Sequence, residues 1–301
     1  MRIAAISDIH VLPNGSDIQL LETIRERVEE IGPDVFIIAG DISDRLIVLE
    51  DSLKSLKVEG CKNLFVGGNH DIWFEEDGGP SSLEKYSHLL GEICQRSGFQ
   101  HVPDSPFIQD GFGFVGSIGW YDYSFRREDL EIPLENYQLK EYRGAVWYDL
   151  FRIDWGFTDP EATDLFNKKL EYDLSTLSKS VEHVVYISHH LPFQKLTVYK
   201  DRLPWDFYSA FMGSTSTGEI LLTDNRVCLS ISGHSHLRSK IENGNVVSVT
   251  VPLGYCRPSK NKMLDFVRDA IAFIEISDGR VAVSDFVEGD ICADLPYFSS
   301  R

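Results

Sequence analysis

The stretch NLFVGGNHDIW, residues 63–73, decides how this chain is to be read. Leu64, Phe65 and Val66 form the end of a short apolar strand, the Gly67-Gly68 pair ends it, and Asn69, His70 and Asp71 follow side by side. Asn69 offers a neutral carbonyl oxygen to a metal, His70 can donate a proton, and Asp71 can hold the imidazole in one tautomer. That order points to metal chemistry on phosphate esters.

The same placement recurs. Asp8 and His10 follow IAAIS, Gly40, Asp41 and Asp44 follow DVFIIA, His189 and His190 follow HVVYIS, and Gly233, His234 and His236 follow VCLSIS. Asp8 and His10, two residues apart on an extended segment, face one side and suit one ion. Asp41 is the group best able to bridge two. Nitrogen and oxygen donors of this kind favour Mn, Fe, Zn, Ni or Co over Ca or Mg, and without a thiolate the set is no structural zinc knot. Two such ions lower the pKa of a bridging water and clamp both oxygens of an in-line displacement, so the bridging hydroxide is the expected nucleophile. His70 is expected to protonate the leaving oxygen, with Asp71 or Asp44 orienting its ring. Four metal charges, two carboxylates and one hydroxide leave about one positive charge, which suits a phosphoester anion.

Around these clusters strand and helix alternate as in βαβ units. Helical spacing predicts a helix over 17–31 with Asp17 as N-cap and Gly32-Pro33 as its stop, and further helices over 45–58, over 81–97 and, shortly before Thr223, a brief one. A helix over 160–178 is expected to open with Asp159 as cap and Pro160 in its first turn. Residues 120–157 are dense in Trp, Tyr and Phe, and loops beyond about 15 residues are uncommon unless functional. Segment 120–180 therefore reads as an inserted lid or pocket wall, its aromatics mainly core and its Arg126 and Arg127 candidates to reach substrate phosphate. Phe211 to Ser214 are expected to pack beside the site. VVSVTV, AIAFIEI and VAVSDFV are expected as C-terminal strands without intervening helices, marked off by Asn-Gly and Asp-Gly turns.

A length of 301 residues with 43% hydrophobic content fits one layered α/β domain. The net charge of -18 argues against general nucleic-acid binding. Cys61, Cys94, Cys228, Cys256 and Cys292 form no C-x-x-C pair and read as reduced, buried thiols. No signal peptide and no apolar run of about 20 residues is seen, so the expectation is a cytoplasmic protein off the membrane. His88, His101 and His183, outside the clusters, are expected as ordinary surface or loop residues.

Asp8-x-His10, Gly40-Asp41-x-x-Asp44, Gly68-Asn69-His70-Asp71, His189 and Gly233-His234-x-His236 resemble, in order, the five motifs of the calcineurin-like metallophosphoesterases. The resemblance implies an α/β four-layer αββα sandwich, two mixed β-sheets flanked by helices, here with the inserted segment 120–180 and with strands of 245–290 completing the second sheet. It implies that Asp8, His10, Asp41 and His236 hold one divalent ion and Asp41, Asn69, His189 and His234 the other, with Mn favoured for activity. ISHHLP offers two histidines where the family often shows one. His189, first after the strand, is taken as the ligand, and His190 is left for a supporting or substrate role. The expected activity is hydrolysis of a small or nucleotide-like phosphodiester or phosphomonoester. The alternatives are a nuclease with the same centre or a catalytically silent metal-binding scaffold.

Overall fold

Strand β1 (Arg2–Ile6) is buried on both faces: Ile3 and Ala5 enter one core, Ala4 and Ile6 another. A strand apolar on both sides must lie between two layers, and its neighbours repeat the pattern. The computed structural model describes residues 1–74 and 78–290. After β1 come β2 (Val35–Ala39), β3 (Lys62–Val66), β4 (Gln100–His101), β5 (Phe107–Gln109) and β6 (Phe112–Gly116). The hairpin β7 (Glu141–Tyr142) and β8 (Ala145–Val146) lies inside the aromatic segment. Then follow β9 (His183–Ile187), β10 (Val227–Ser232), β11 (Leu237–Asn243), β12 (Val246–Thr250), β13 (Ala272–Ser277), β14 (Arg280–Ser284) and β15 (Gly289–Asp290).

One sheet runs β14-β13-β1-β2-β3-β4 and the other β15-β11-β12-β10-β9-β6-β5. Both are mixed: β1, β2, β3 and β4 are parallel and so are β6, β9, β10 and β12, while the remaining pairs are antiparallel. Ile3, Ile37 and Leu64 of the first sheet cluster with Phe114, Val185, Leu229 and Val249 of the second. Outside the first sheet, Phe36, Ile38 and Phe65 pack on Leu20, Ile24 and Val28 of helix Ile18–Ile31 and on Leu49 and Leu53 of helix Leu46–Leu56. Outside the second, Val115, Val184 and Tyr186 meet Leu170 and Leu174 of helix Asp159–Thr176 and Leu221 of helix Thr215–Thr223. This is the expected four-layer sandwich. No helix among the described residues is long and apolar enough to cross a membrane.

Local expectations hold with corrections. Gly32 ends the first helix in a left-handed conformation, but the Asp17 carboxylate does not cap it: it accepts from the Leu12 N–H and the Arg257 guanidinium. Thr158, not Asp159, caps helix Asp159–Thr176 through a capping box with Glu161. The Asp159 carboxylate is drawn inward instead, to Trp120 Nε1, the Tyr123 hydroxyl and Lys140 Nζ. The helix expected over 81–97 is divided by a π-helical turn at Lys85–Leu89. Helix Met263–Ala270 intervenes among the C-terminal strands, and the β13–β14 hairpin completes the first sheet rather than the second, because β13 pairs antiparallel with β1. His101 is buried and bonded to Asp104, not a surface residue. Cys94 and Cys228 are buried, Cys61 and Cys256 are only partly so, and Cys292 lies outside the described residues.

Phe114 fills the space between the sheets with no exposed surface. Phe114→Ala is expected to lower unfolding stability by about 3–5 kcal/mol in a denaturant titration.

Candidate metal centre

The parallel strands of both sheets direct their carboxyl ends to one seam, where open α/β sheets gather their ligands. Beyond β1 the chain crosses from the first sheet to the second: Ser7 N–H donates to the Val251 carbonyl (2.9 Å), and Ser7 accepts from Leu253 N–H (2.8 Å). Asp8 N–H meanwhile donates to the Gly40 carbonyl (2.9 Å), so Asp8 stands between the sheets. From the opposite side, the His189 imidazole donates through Nδ1 to the Ala39 carbonyl at 2.9 Å. Asp8 and His10 are not on extended backbone as expected. They, Asp41, His234 and His236 have φ of 52°, 49°, 59°, 69° and 52°, a left-handed conformation costing on the order of 1–3 kcal/mol each for such residues. Gly40 and Gly68 give these turns room: a Cβ on Gly40 would lie 2.6 Å from His189 Nδ1, and one on Gly68 2.7 Å from the Asp41 amide nitrogen.

The side chains converge in three groups, Asp8 with His10 and His236, His10 with Asp41 and His70, and Asp41 with His189 and His234, each with ligand atoms within 4.8 Å of one another. Asp41 belongs to two of them. Its Oδ2 lies 3.2 Å from His189 Nε2 and 3.8 Å from both His10 Nε2 and His70 Nε2, while its Oδ1 is turned aside to accept the His70 N–H. His236 Nε2 is 3.2 Å from Asp8 Oδ1 and 3.1 Å from His10 Nε2.

The donors fit metal ions. His189 gives its Nδ1 proton to Ala39, and His234 gives its Nε2 proton to the Phe211 carbonyl at 3.1 Å. Carbonyls only accept, so the nitrogens left with lone pairs, His189 Nε2 and His234 Nδ1, are the two that face each other at 3.3 Å. Asn69 donates its amide to Asp149 at 2.9 Å, leaving a buried Oδ1 with no hydrogen-bond partner among the described residues. Burial opposes a charged His189, yet Asp41, with Asp8 behind it, carries its pKa up to about 10, so in the metal-free protein Nε2 holds a second proton, shared with Asp41, that a metal ion would displace to free the lone pair. The buried carboxylates draw positive charge to this spot.

Asp71 is not the orienter expected for His70. Its carboxylate accepts the N–H groups of Asp41, Ile42, Ser43 and Gly68, all at 2.8–2.9 Å, and so ties the loops of Asp41 and Asn69 together. Asp44 binds Arg152 (3.0 Å) and does not reach the ring either. His70 is instead stacked on Trp73, with ring centroids 3.7 Å apart. His190 is buried behind His234, 4.2 Å between ring centroids, and does not line the pocket. Arg126 pairs with Glu128, and Arg127 with Asp129, Asp201 and Asp206; neither borders the site. Phe211 does pack beside it, as expected.

Three supporting residues were not singled out from sequence. Asp149, buried in the aromatic segment, accepts from Asn69 Nδ2, Trp73 Nε1 (2.7 Å), Tyr121 OH (3.0 Å) and Trp147 Nε1 (2.9 Å). Buried Lys85 donates to the carbonyls of Asp44 (2.6 Å) and Trp73 (2.7 Å), joining the second and third motif loops. Arg257 donates to the carbonyls of Ile9 and His10, both at 2.8 Å, and braces the first. The only local sign was a carboxylate amid aromatics carrying N–H and O–H donors, which by themselves usually mean burial.

A two-sheet sandwich with carboxylates, imidazoles and an amide at its seam defines a metal-dependent phosphoesterase. The chain belongs to the calcineurin-like phosphoesterase family, whose model matches residues 1–238. It is 26% identical over 271 residues to [Acyl-carrier-protein] phosphodiesterase PptH of Mycobacterium tuberculosis, covering 84% of this chain and 78% of that protein. The crystal structure of phosphopantetheinyl hydrolase (PptH) from Mycobacterium tuberculosis superposes with a TM-score of 0.66 at 22% identity, over 84% of this chain and 89% of the other. A dimetal phosphatase from Danio rerio gives 0.60 at 15% identity and 96% coverage of both chains. The chain is a dinuclear metal phosphoesterase enzyme of this family.

Asp149→Asn keeps the size of the side chain but turns an NH₂ toward donors. It is expected to weaken metal binding by about 10–100-fold, read by titration with Mn, while the thermal melt stays cooperative.

Proposed function

We propose that this enzyme hydrolyses phosphodiesters, with the phosphopantetheinyl linkage of a carrier protein as the first substrate to test. The observation that carries the diester reading is the charge around the centre: among the described residues, no Lys or Arg lines the pocket that opens onto it. A phosphomonoester dianion needs compensation beyond a centre of about one net positive charge, whereas a diester monoanion matches it. The same balance, with a net charge of -18, weighs against a nucleic-acid substrate. The likeness to a protein named as an acyl-carrier-protein phosphodiesterase supports the choice of first substrate.

In this reading Asp8, His10, Asp41 and His236 hold one divalent ion, and Asp41, Asn69, His189 and His234 hold the other. Bound there, the ions supply an activated water and offset the phosphoryl charge. Mn is the ion to try first, within the set that nitrogen and oxygen donors favour. His70 gives a proton to the leaving oxygen. Its side chain is 22% exposed, against 7% for His10 and His236 and none for His189, so it is the imidazole of these four most open to a substrate. Stacking on Trp73 and the bond from its N–H to Asp41 hold it there. The four free thiols among the described residues accord with action in a reducing compartment such as the cytoplasm.

With Mn added, turnover of bis(p-nitrophenyl) phosphate is expected to exceed that of p-nitrophenyl phosphate; no hydrolysis of any phosphoester with any of the five metals would sink the proposal. His70→Ala is expected to retain both ions by elemental analysis and to lose about 10²–10⁴-fold in kcat. Loss of metal in that variant would make His70 a ligand instead.

A further inference from the structure

A cavity of about 340 Å³ opens from the metal centre, and three of the chain's five tryptophans, Trp73, Trp147 and Trp205, line it together with Tyr208 and Met212. These five side chains are only half-buried: Trp147, Tyr208 and Met212 also pack on the core, and all five present apolar surface to the cavity. They come from three separate stretches of chain: Trp73 follows the third motif, Trp147 follows the β7–β8 hairpin, and the other three sit on Trp205–Tyr208 and the turn after it.

The rings are held in place. Trp73 and Trp147 donate to Asp149, and Trp205 donates through Nε1 to the Val198 carbonyl (3.0 Å). With their N–H groups engaged, Trp73, Trp147 and Trp205 offer ring faces and edges. The carboxylates in the lining are Asp41, at the metal centre, and Asp149, which already accepts four hydrogen bonds. Lys200 Nζ sits 3.6 Å from the Trp205 ring centroid but is not part of the lining. Among the described residues the wall beyond the metal centre therefore offers a ligand no cation, and its one carboxylate, Asp149, is already engaged.

We propose that this aromatic cavity is the specificity subsite for one ester substituent of the substrate, an uncharged and largely apolar arm that lies against the indole rings while the phosphate engages the centre. The inference rests on the reading of the centre as a binding site for phosphodiesters. A pocket of this size, mostly apolar and joined to a few polar groups, is where such recognition occurs. A charged arm would lose its hydration there and gain no counter-charge.

Binding can be measured apart from turnover. The Mn-loaded full chain is titrated calorimetrically with dimethyl phosphate and with methyl 2-naphthyl phosphate, diesters of the same charge that differ in one substituent. The naphthyl ester is expected to bind at least about tenfold more tightly, from the apolar area it buries. In Trp205→Ala that preference should shrink to about threefold or less while the dimethyl phosphate affinity stays as in wild type. Met212→Ala, a milder truncation, should reduce the preference in the same direction and guards against misfolding of the first variant. Equal affinities for the two esters, or an undiminished preference in both variants, would overturn the subsite and leave the metal-centre reading intact. Binding of neither diester to the Mn-loaded protein would remove both.

Discussion

One buried carboxylate holds the loops of the candidate ligands in register. Asp71 takes four backbone N–H groups, three from residues 41–43 and one from Gly68, and through them fixes the turn that carries Asp41 against the turn that carries Asn69. Burial and the neighbouring Asp41 push its pKa up to about 7, and the N–H donors pull against that. Unpaired, those amides would be costly in a dry interior. The parallel pairing of β2 and β3 brings their ends side by side, but both strands end before Asp41 and Asn69, and this anchor sets the two residues' loops against each other.

Elsewhere in the centre, four candidate ligands are oriented by bonds on their far side. His189 and His234 are turned by carbonyls, Asn69 by Asp149, and Asp8 by the Ser7 hydroxyl and the His234 N–H. Five of the candidate ligands, in three loops, adopt left-handed backbone, and cross-loop hydrogen bonds offset that strain. The outcome is a set of lone pairs aimed inward with little freedom to turn away.

Much of this was legible because strand ends leave a local mark. Apolar runs closing on Gly40, Gly67 or Gly233 located the loops, and polar residues after them named the candidate donors. Contacts between distant segments left none. Asp71 and His70 are adjacent in sequence and were expected to touch, yet the short helix Asn69–Ile72 turns Asp71 into the loop and His70 toward the pocket. Asp149 shares no period or motif with Asn69, 80 positions away, and only the folded aromatic segment joins them. Thr158 displaced Asp159 as a cap because Trp120, Tyr123 and Lys140 offered that carboxylate buried partners. The allocation of β13 and β14 to the first sheet is likewise topological: their alternation marks strands, not partners.

The crossing of the chain at Ser7 bears on the order in which the protein folds. Asp8 follows the first strand of the first sheet, but its carboxylate accepts the N–H of His234, 226 positions later, and its carbonyl accepts from Gly254. The strand that precedes it is then flanked by β13, through pairs such as Ala5 with Ala272. Contacts of such long range close slowly, because chain entropy is spent before they form. Asp8, the earliest of the candidate ligands in the sequence, is thus set only once segments 226 or more positions later have docked, so the complete donor set forms late in folding.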